Sequence, residues 1–273
     1  MYRSHTHGII QKHSTGHIRP AWRIRAEPGV QEVFAALYDC DVQDLETSFD
    51  AINLSYPAHD KSWFHTDQGN DVVITMISCV LSWIVVAGPT RKGSWNVQSL
   101  APLTQQSADY QHGSLVVLEG SHLLHESFFK QRVLTKKEQK SKGDWFKMSK
   151  EDLATHYAGC KQVNVTASPR DLVLWDSRTL HYGRAPIKVT KKFAKEMGIS
   201  ADVDDNDDND GDNDDDETDG KLEKKDKDPF NGLRSVLYVC MKSRVNMSEA
   251  ARDLKRTWFN ELKMTTHSPG SDP

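Results

Sequence analysis

Cysteine is scarce in this chain of 273 residues, and its four copies lie far apart in the sequence. They are Cys40, Cys79, Cys160 and Cys240. No C-x-x-C pair occurs, which excludes a finger-type zinc cluster and a dense disulfide framework. We expect reduced thiols, which favour a cytoplasmic protein.

A secretory signal is also lacking. The first residues, MYRSHTHGIIQKHSTG, contain no apolar core of the kind that export requires. Lys and Arg are dispersed, and no basic stripe with interleaved aromatic residues is present, so a nucleic-acid partner is not expected. We expect a small-molecule substrate, with no nucleic acid and no membrane as partners; the sequence carries no signal for an oligomeric state.

Only one apolar run approaches the length of a membrane span. Residues 72–88, VVITMISCVLSWIVVAG, are almost continuously apolar, whereas a span needs about 20 such residues. Two interpretations stay open. The segment is either a pair of buried strands or an insertion near residues 70–93 that is foreign to the fold, such as a translated intron.

Charge is nearly balanced at −4 but unevenly distributed. Residues 202–219, DVDDNDDNDGDNDDDETD, concentrate negative charge without the apolar surface that a packed core needs. We therefore expect a disordered acidic loop near residues 190–229, and the rest of the chain is basic. The length suits a single domain spanning residues 1–273.

Three segments have the pattern of amphipathic helices. The first runs from Gly29 to Leu37 with Pro28 at its start. The second follows a capping box formed by Ser149 and Asp152. The third covers residues 248–264 and has one apolar face, made of Ala251, Leu254, Trp258 and Leu262.

Short apolar segments bounded by turn residues predict strands. They include residues 48–54, 96–100, 113–118, 171–176 and 233–241. Many short strands separated by turns, with a few helices, predict a mainly β fold with flanking α-helices.

A metal site is indicated by two stretches of sequence. His65 and Asp67 stand two residues apart in WFHTDQG, so on extended backbone they point to the same side. His181, in DLVLWDSRTLHYG, follows a distant strand and adds a third ligand. Two histidines and one carboxylate, with the other coordination positions open, suit a non-haem Fe(II).

As an ordered set, HTDQG, GSLVVLEGSH, DLVLWDSRTLHYGR and LRSVLYVCM resemble the phytanoyl-CoA dioxygenase superfamily of Fe(II)/2-oxoglutarate oxygenases. The similarity is to fungal and microbial members and runs from about Gly8 to His267. It implies a double-stranded β-helix, the jelly roll of cupin-like proteins. It also implies Fe(II) held by His65, Asp67 and His181, with 2-oxoglutarate and O2 as co-substrates.

The resemblance further implies an arginine that binds the far carboxylate of 2-oxoglutarate. Arg234 matches that position, and a guanidinium can hold a carboxylate through two parallel hydrogen bonds. Arg184 competes for the role, although it lies in a turn beside Pro186. Gln98 is a further candidate for contact with the co-substrate or with oxygen at the iron.

The expected function is therefore an Fe(II)- and 2-oxoglutarate-dependent dioxygenase that hydroxylates a small-molecule or lipid-like substrate. One alternative is a catalytically inactive double-stranded β-helix with a binding or structural role. Another is a cupin-like protein that uses Mn or Zn without 2-oxoglutarate, which the position of Arg234 disfavours. The remaining histidines, including His122 and His125, are expected at turns and on helix surfaces.

Overall fold

The structure is a computed structural model that describes residues 8–58, 61–67, 97–132, 146–188, 195–196, 198 and 232–266. Within these ranges there are five α-helices: α1 (Arg19–Arg25), α2 (Pro28–Tyr38), α3 (Ser121–Gln131), α4 (Lys150–His156) and α5 (Glu249–Asn260). Short 3-10 helices cover Thr15–His17, Val42–Asp44 and Arg244–Asn246.

Twelve strands account for most of the regular structure in the same ranges. They are β1 (Ile9–Ile10), β2 (Leu45–Thr47), β3 (Ile52–Ser55), β4 (His65–Thr66), β5 (Val97–Pro102), β6 (Ser114–Leu118), β7 (Phe146–Lys147), β8 (Gln162–Asn164), β9 (Val173–Asp176), β10 (His181–Arg184), β11 (Arg234–Tyr238) and β12 (Met241–Ser243). One five-stranded sheet has the order β1-β3-β11-β5-β9, which we call the first sheet. The second sheet has the order β7-β4-β10-β6-β8, and β12 pairs with β2. Every pairing within these sheets is antiparallel.

The two sheets face each other across an apolar layer. Along β11, Val236 packs in this layer, whereas the next residue, Leu237, packs on the other side against α1 and α2. Along β6, Leu115 packs in the layer, and Val116 packs outward against α3. The period-two alternation of a strand thus separates an interior face from a helix-covered exterior in both sheets. The fold is a double-stranded β-helix with flanking helices, which confirms the predicted fold class.

The predicted helices are present, with one error at an end. The first corresponds to α2, and the predicted capping box starts α4. The third was predicted to reach residue 264 with Leu262 on its apolar face. Helix α5 ends at Asn260 instead, and Leu262 has a positive φ of 54° and is half exposed. The buried face carries Lys255, whose ammonium is compensated by Glu46, with Nζ 3.5 Å from Oε1.

The two irregular segments noted in the sequence, residues 72–88 and residues 202–219, lie outside the described residues. So does Cys79, whereas Cys40, Cys160 and Cys240 form no disulfide bond with one another. Among the described helices, none is long and apolar enough to cross a membrane.

The capping box of α4 should contribute measurably to the stability of the fold. The Ser149 hydroxyl accepts a hydrogen bond from the Asp152 backbone N–H at 3.0 Å, and the Asp152 carboxylate accepts one from the Ser149 N–H. Ser149→Ala should lower the free energy of unfolding by about 1 kcal/mol, measured by urea denaturation. Ser127→Ala is the matched control, because that exposed hydroxyl only donates to a carbonyl of its own helix, that of Leu124. Equal losses in both variants would mean that the cap does not stabilise the fold.

Candidate metal centre

Strand pairing brings the two candidate histidine ligands together. His65 on β4 lies directly opposite His181 on β10 in the antiparallel register, and their ring centroids are 4.4 Å apart. Asp67 follows β4 by one residue, and its backbone N–H donates to the Ser177 carbonyl at 3.1 Å. The three side chains form a group that could hold a metal ion.

Both histidines offer the same nitrogen to that group. His65 Nδ1 lies 3.2 Å from the Trp63 carbonyl oxygen, and His181 Nδ1 lies 2.8 Å from the Thr179 carbonyl oxygen. A carbonyl only accepts, so each Nδ1 carries the proton and each Nε2 is left as a lone-pair donor for a metal. The ring of Trp63 stacks on His65 at 4.4 Å, which further fixes its plane.

The distances between ligand atoms suit a single ion. Asp67 Oδ2 lies 3.2 Å from His181 Nε2, and Asp67 Oδ1 lies 3.6 Å from His65 Nε2. Two ligand atoms about 2.1 Å from a metal and at a right angle to each other are roughly 3 Å apart. All three side chains are largely withdrawn from solvent, since those of His65, Asp67 and His181 are 9%, 11% and 6% exposed. Two imidazoles and a carboxylate on one side leave the other side of an octahedral ion open.

Gln98 lies against this group from the first sheet. It belongs to β5, and its Nε2 donates to Asp67 Oδ2 at 2.8 Å. Its Oε1 is buried and has no hydrogen-bond partner among the described residues. The contact that the structure gives Gln98 is thus with a candidate metal ligand; contact with the co-substrate stays a prediction.

Arg234 lies in the same interior at the start of β11 and is only 1% exposed. Its Nε donates to Gln106 Oε1 at 3.1 Å, and its Nη1 donates to Asn53 Oδ1 at 2.9 Å. Both acceptors are neutral amides, and within the described ranges no carboxylate forms an ion pair with this guanidinium. Its Nη2 has no hydrogen-bond partner there. Burial lowers the pKa of Arg234, while neighbouring Tyr238 favours the charged form.

Two glycines make room for the Arg234 side chain beside the metal group. A Cβ at Gly183 would lie 3.1 Å from Arg234 Nη1, and one at Gly113 would lie 2.4 Å from Arg234 Cδ. Gly183 follows His181 by two residues on β10, so both lie on the same face about 7 Å apart. The guanidinium therefore lies on the interior face of β10, about two residues beyond the candidate ligand His181.

Arg184, the competing arginine, was predicted in a turn but is the last residue of β10, and its side chain binds elsewhere. Its Nη2 donates to the carbonyl oxygens of Ser107, Asp109 and His112, at 2.8, 3.2 and 3.1 Å. Because it is adjacent to Gly183 in the strand, its side chain points to the opposite face, away from the interior. Its hydrogen bonds hold the loop before β6, which favours Arg234 as the candidate for carboxylate binding.

Two other histidines can now be placed. His125 was predicted on a helix surface; this is wrong, because it is buried on the inner side of α3 against Phe129. His122 is the second residue of α3 and is partly buried, and burial lowers its pKa. Neither belongs to the described group of candidate metal ligands.

No family model matches the chain. It is similar to a curated protein of Aspergillus versicolor, "Ava biosynthesis cluster protein O", with 28% identity over 180 residues. The match covers 62% of this chain and 50% of the relative. The chain thus spans about half the length of that protein.

Several solved structures are similar at low identity. The epimerase SnoN in complex with Fe3+, alpha ketoglutarate and nogalamycin RO is 11% identical, with a TM-score of 0.41 over 81% of this chain and 58% of SnoN. AviO1 from Streptomyces viridochromogenes is 14% identical, with a TM-score of 0.41 over 90% and 76% of the two chains. HygX from Streptomyces hygroscopicus with nickel and 2-oxoglutarate bound is 13% identical, with a TM-score of 0.36 over 84% and 69%. At TM-scores this low the similarities carry no argument for function, which has to come from the site.

Proposed function

We propose that this protein is an Fe(II)- and 2-oxoglutarate-dependent dioxygenase that hydroxylates a small-molecule or lipid-like substrate. The observation that carries the proposal is the combination of two features in one interior. A metal-ligand group of His65, Asp67 and His181 lies beside a buried arginine that has no described counter-anion.

The ligand group fits iron by its chemistry. Two neutral imidazoles and one carboxylate provide nitrogen and oxygen donors of intermediate softness, which suit Fe(II) and leave three positions open. A structural zinc site would be closed by four protein ligands, and the described group has three.

Arg234 fits the distal carboxylate of 2-oxoglutarate. A buried cation without an anionic partner is costly, so a bound carboxylate would satisfy its unused Nη2 and its charge together. The five-carbon chain of 2-oxoglutarate is about 5 Å long at ordinary C–C bond lengths. That length suits a molecule with its keto acid end at the metal and its other carboxylate on a guanidinium about 7 Å along β10.

When bound, Fe(II) and 2-oxoglutarate supply the oxidising power for C–H hydroxylation by O2, with succinate and CO2 as co-products. The residues of the chain orient these groups and exclude water. The ring of Trp63 stacks on that of His65, and the ring of Trp175 lies 5.2 Å from that of His181. Aromatic walls of this kind lower the local dielectric and protect a reactive centre from solvent.

The proposal is tested with the purified protein under anaerobic conditions, by adding Fe(II) and then 2-oxoglutarate. We expect a visible metal-to-ligand charge-transfer band that requires both, followed by slow succinate release when O2 is admitted. A protein that binds Fe(II) without the band or succinate would support a metal protein of another kind. Binding of both without succinate would support the inactive alternative.

A further inference from the structure

Two buried glutamines of the interior each form a hydrogen bond with one charged side chain. Gln98 and Gln106 are both 1% exposed. Gln98 donates through Nε2 to the Asp67 carboxylate, and Gln106 accepts through Oε1 from the Arg234 guanidinium. One amide therefore contacts the candidate metal site, and the other contacts the candidate co-substrate site.

The Asp67 carboxylate is held from two directions. Its main chain is fixed by the hydrogen bond from the Asp67 N–H to the Ser177 carbonyl. Its Oδ2 accepts from Gln98 Nε2 at 2.8 Å, and this contact sets the rotation of the carboxylate about its own axis. One lone pair of Oδ2 is thereby occupied, while Oδ2 also lies 3.2 Å from His181 Nε2 and Oδ1 lies 3.6 Å from His65 Nε2.

We propose that Gln98 is a positioning residue that makes Asp67 bind the metal through a single oxygen. The proposal rests on the proposed function for the identity of the metal, but it concerns only the geometry of the ligand. It assigns to this buried amide a role in keeping coordination positions free.

The number of free positions explains why this role matters. An octahedral ion with two histidines and one carboxylate oxygen has three open positions. A keto acid that binds through two oxygens takes two of them, and O2 needs the last. A carboxylate that rotates to bind through both oxygens would occupy one of these three, and the co-substrates could no longer bind together.

An amide is well suited to hold the carboxylate in this way. Its N–H donates a hydrogen bond without adding a charge, so the carboxylate keeps its full attraction for a cation. A lysine or arginine at the same place would neutralise Asp67 and compete with the metal. Hydrogen bonds from outside the coordination sphere commonly change metal affinity by about 10- to 100-fold.

Gln98→Met tests the proposal, because methionine keeps the length of the side chain and removes the donor. The first measurement is the Kd for Fe(II), which should rise by about 10- to 100-fold. The second is the visible spectrum of the Co(II)-substituted protein, whose intensity depends on coordination number and should change. Gln98→Asn keeps an amide one methylene shorter and should restore part of the Fe(II) affinity.

Gln106→Met is the matched control, since it makes the same exchange at the other buried glutamine. It should leave the Fe(II) Kd and the Co(II) spectrum unchanged but raise the Kd for 2-oxoglutarate roughly tenfold, because Arg234 loses a hydrogen bond. Thermal unfolding of the metal-free proteins should be similar in both variants, which controls for misfolding.

An Fe(II) Kd and a Co(II) spectrum that are the same in Gln98→Met and the wild type would overturn the proposal. So would equal effects of the two methionine variants on the metal, because that would indicate general loosening of the interior. Absence of Co(II) binding by the wild type would also overturn it, because His65, Asp67 and His181 would then not form a metal site. Failure of the proposed function looks different: Co(II) would bind and respond to Gln98→Met, but no 2-oxoglutarate band or succinate would appear.

Discussion

Replacing Arg234 by Met should weaken 2-oxoglutarate binding by roughly 30- to 900-fold. This corresponds to the loss of about 2–4 kcal/mol of binding free energy from a bidentate, charge-assisted contact to a carboxylate. Methionine fills much of the same volume between Gly113 and Gly183 but offers no donor. Fe(II) binding should be preserved, because Arg234 makes no described contact with His65, Asp67 or His181. Anaerobic titration of the charge-transfer band gives the affinity.

Two further variants sharpen this prediction. Arg234→Lys keeps a charge but loses the planar fork, so its affinity should be intermediate. Arg184→Met is the control at a second buried arginine, whose hydrogen bonds go to loop carbonyls. An unchanged affinity in the Arg234 variants together with a loss in Arg184→Met would transfer the carboxylate-binding role to Arg184.

Removing the carboxylate ligand should have the largest effect on metal binding. We expect Asp67→Ala to weaken Fe(II) binding by at least tenfold, and by more than Gln98→Met, because a direct ligand is lost instead of its support. The fold should persist, since the structural contact of Asp67 to Ser177 uses the backbone N–H, which alanine retains. Calorimetric titration with Co(II) and thermal unfolding measure the two quantities separately.

Asp171→Ala is the control for loss of one negative charge. Asp171 is exposed just before β9, where its carboxylate accepts from the Ser168 N–H, and it lies outside the ligand group. Its replacement should leave metal affinity unchanged. Tight Co(II) binding by Asp67→Ala would exclude Asp67 as a ligand and require a different site.

The candidate metal ligands could be picked out from the sequence because histidine and aspartate at this spacing on a strand form a recognisable pattern. His65 and Asp67 share one face of a strand, and a strand pattern precedes His181, so their convergence could be predicted from local features. The mainly β class followed from local features too, because short strands and turn residues are visible in single stretches of sequence, whereas the double-stranded β-helix was implied by the resemblance to the oxygenase superfamily.

The partners of Arg234 could not be predicted in this way. Gln106 and Asn53 are 128 and 181 residues away from it in the sequence, and neither has a distinctive neighbourhood. The contact of Gln98 with Asp67 likewise depends on how β5 of one sheet faces the ligands of the other. Burial of His125 was missed because α3 has a mixed pattern, in which Leu123 and Leu124 are exposed and His125 lies inside. Packing between distant elements, and not local propensity, decides each of these cases.

The order of strands in the first sheet has a consequence for how the protein folds. Strand β11 lies between β3 and β5, so the centre of that sheet is supplied by a segment more than 100 residues further along the chain than its two neighbours. Contacts between residues so distant in the chain form slowly, because the entropy cost of closing a long loop comes before any favourable contact energy is gained. Arg234 and its two amide partners, which are 128 and 181 residues away, can therefore meet only after the chain has been synthesised through β11. A ligand that binds this assembled interior and not the unfolded chain raises the apparent stability in proportion to the logarithm of its concentration. Co-substrate binding would thus stabilise only those molecules in which the central strand β11 is already in place.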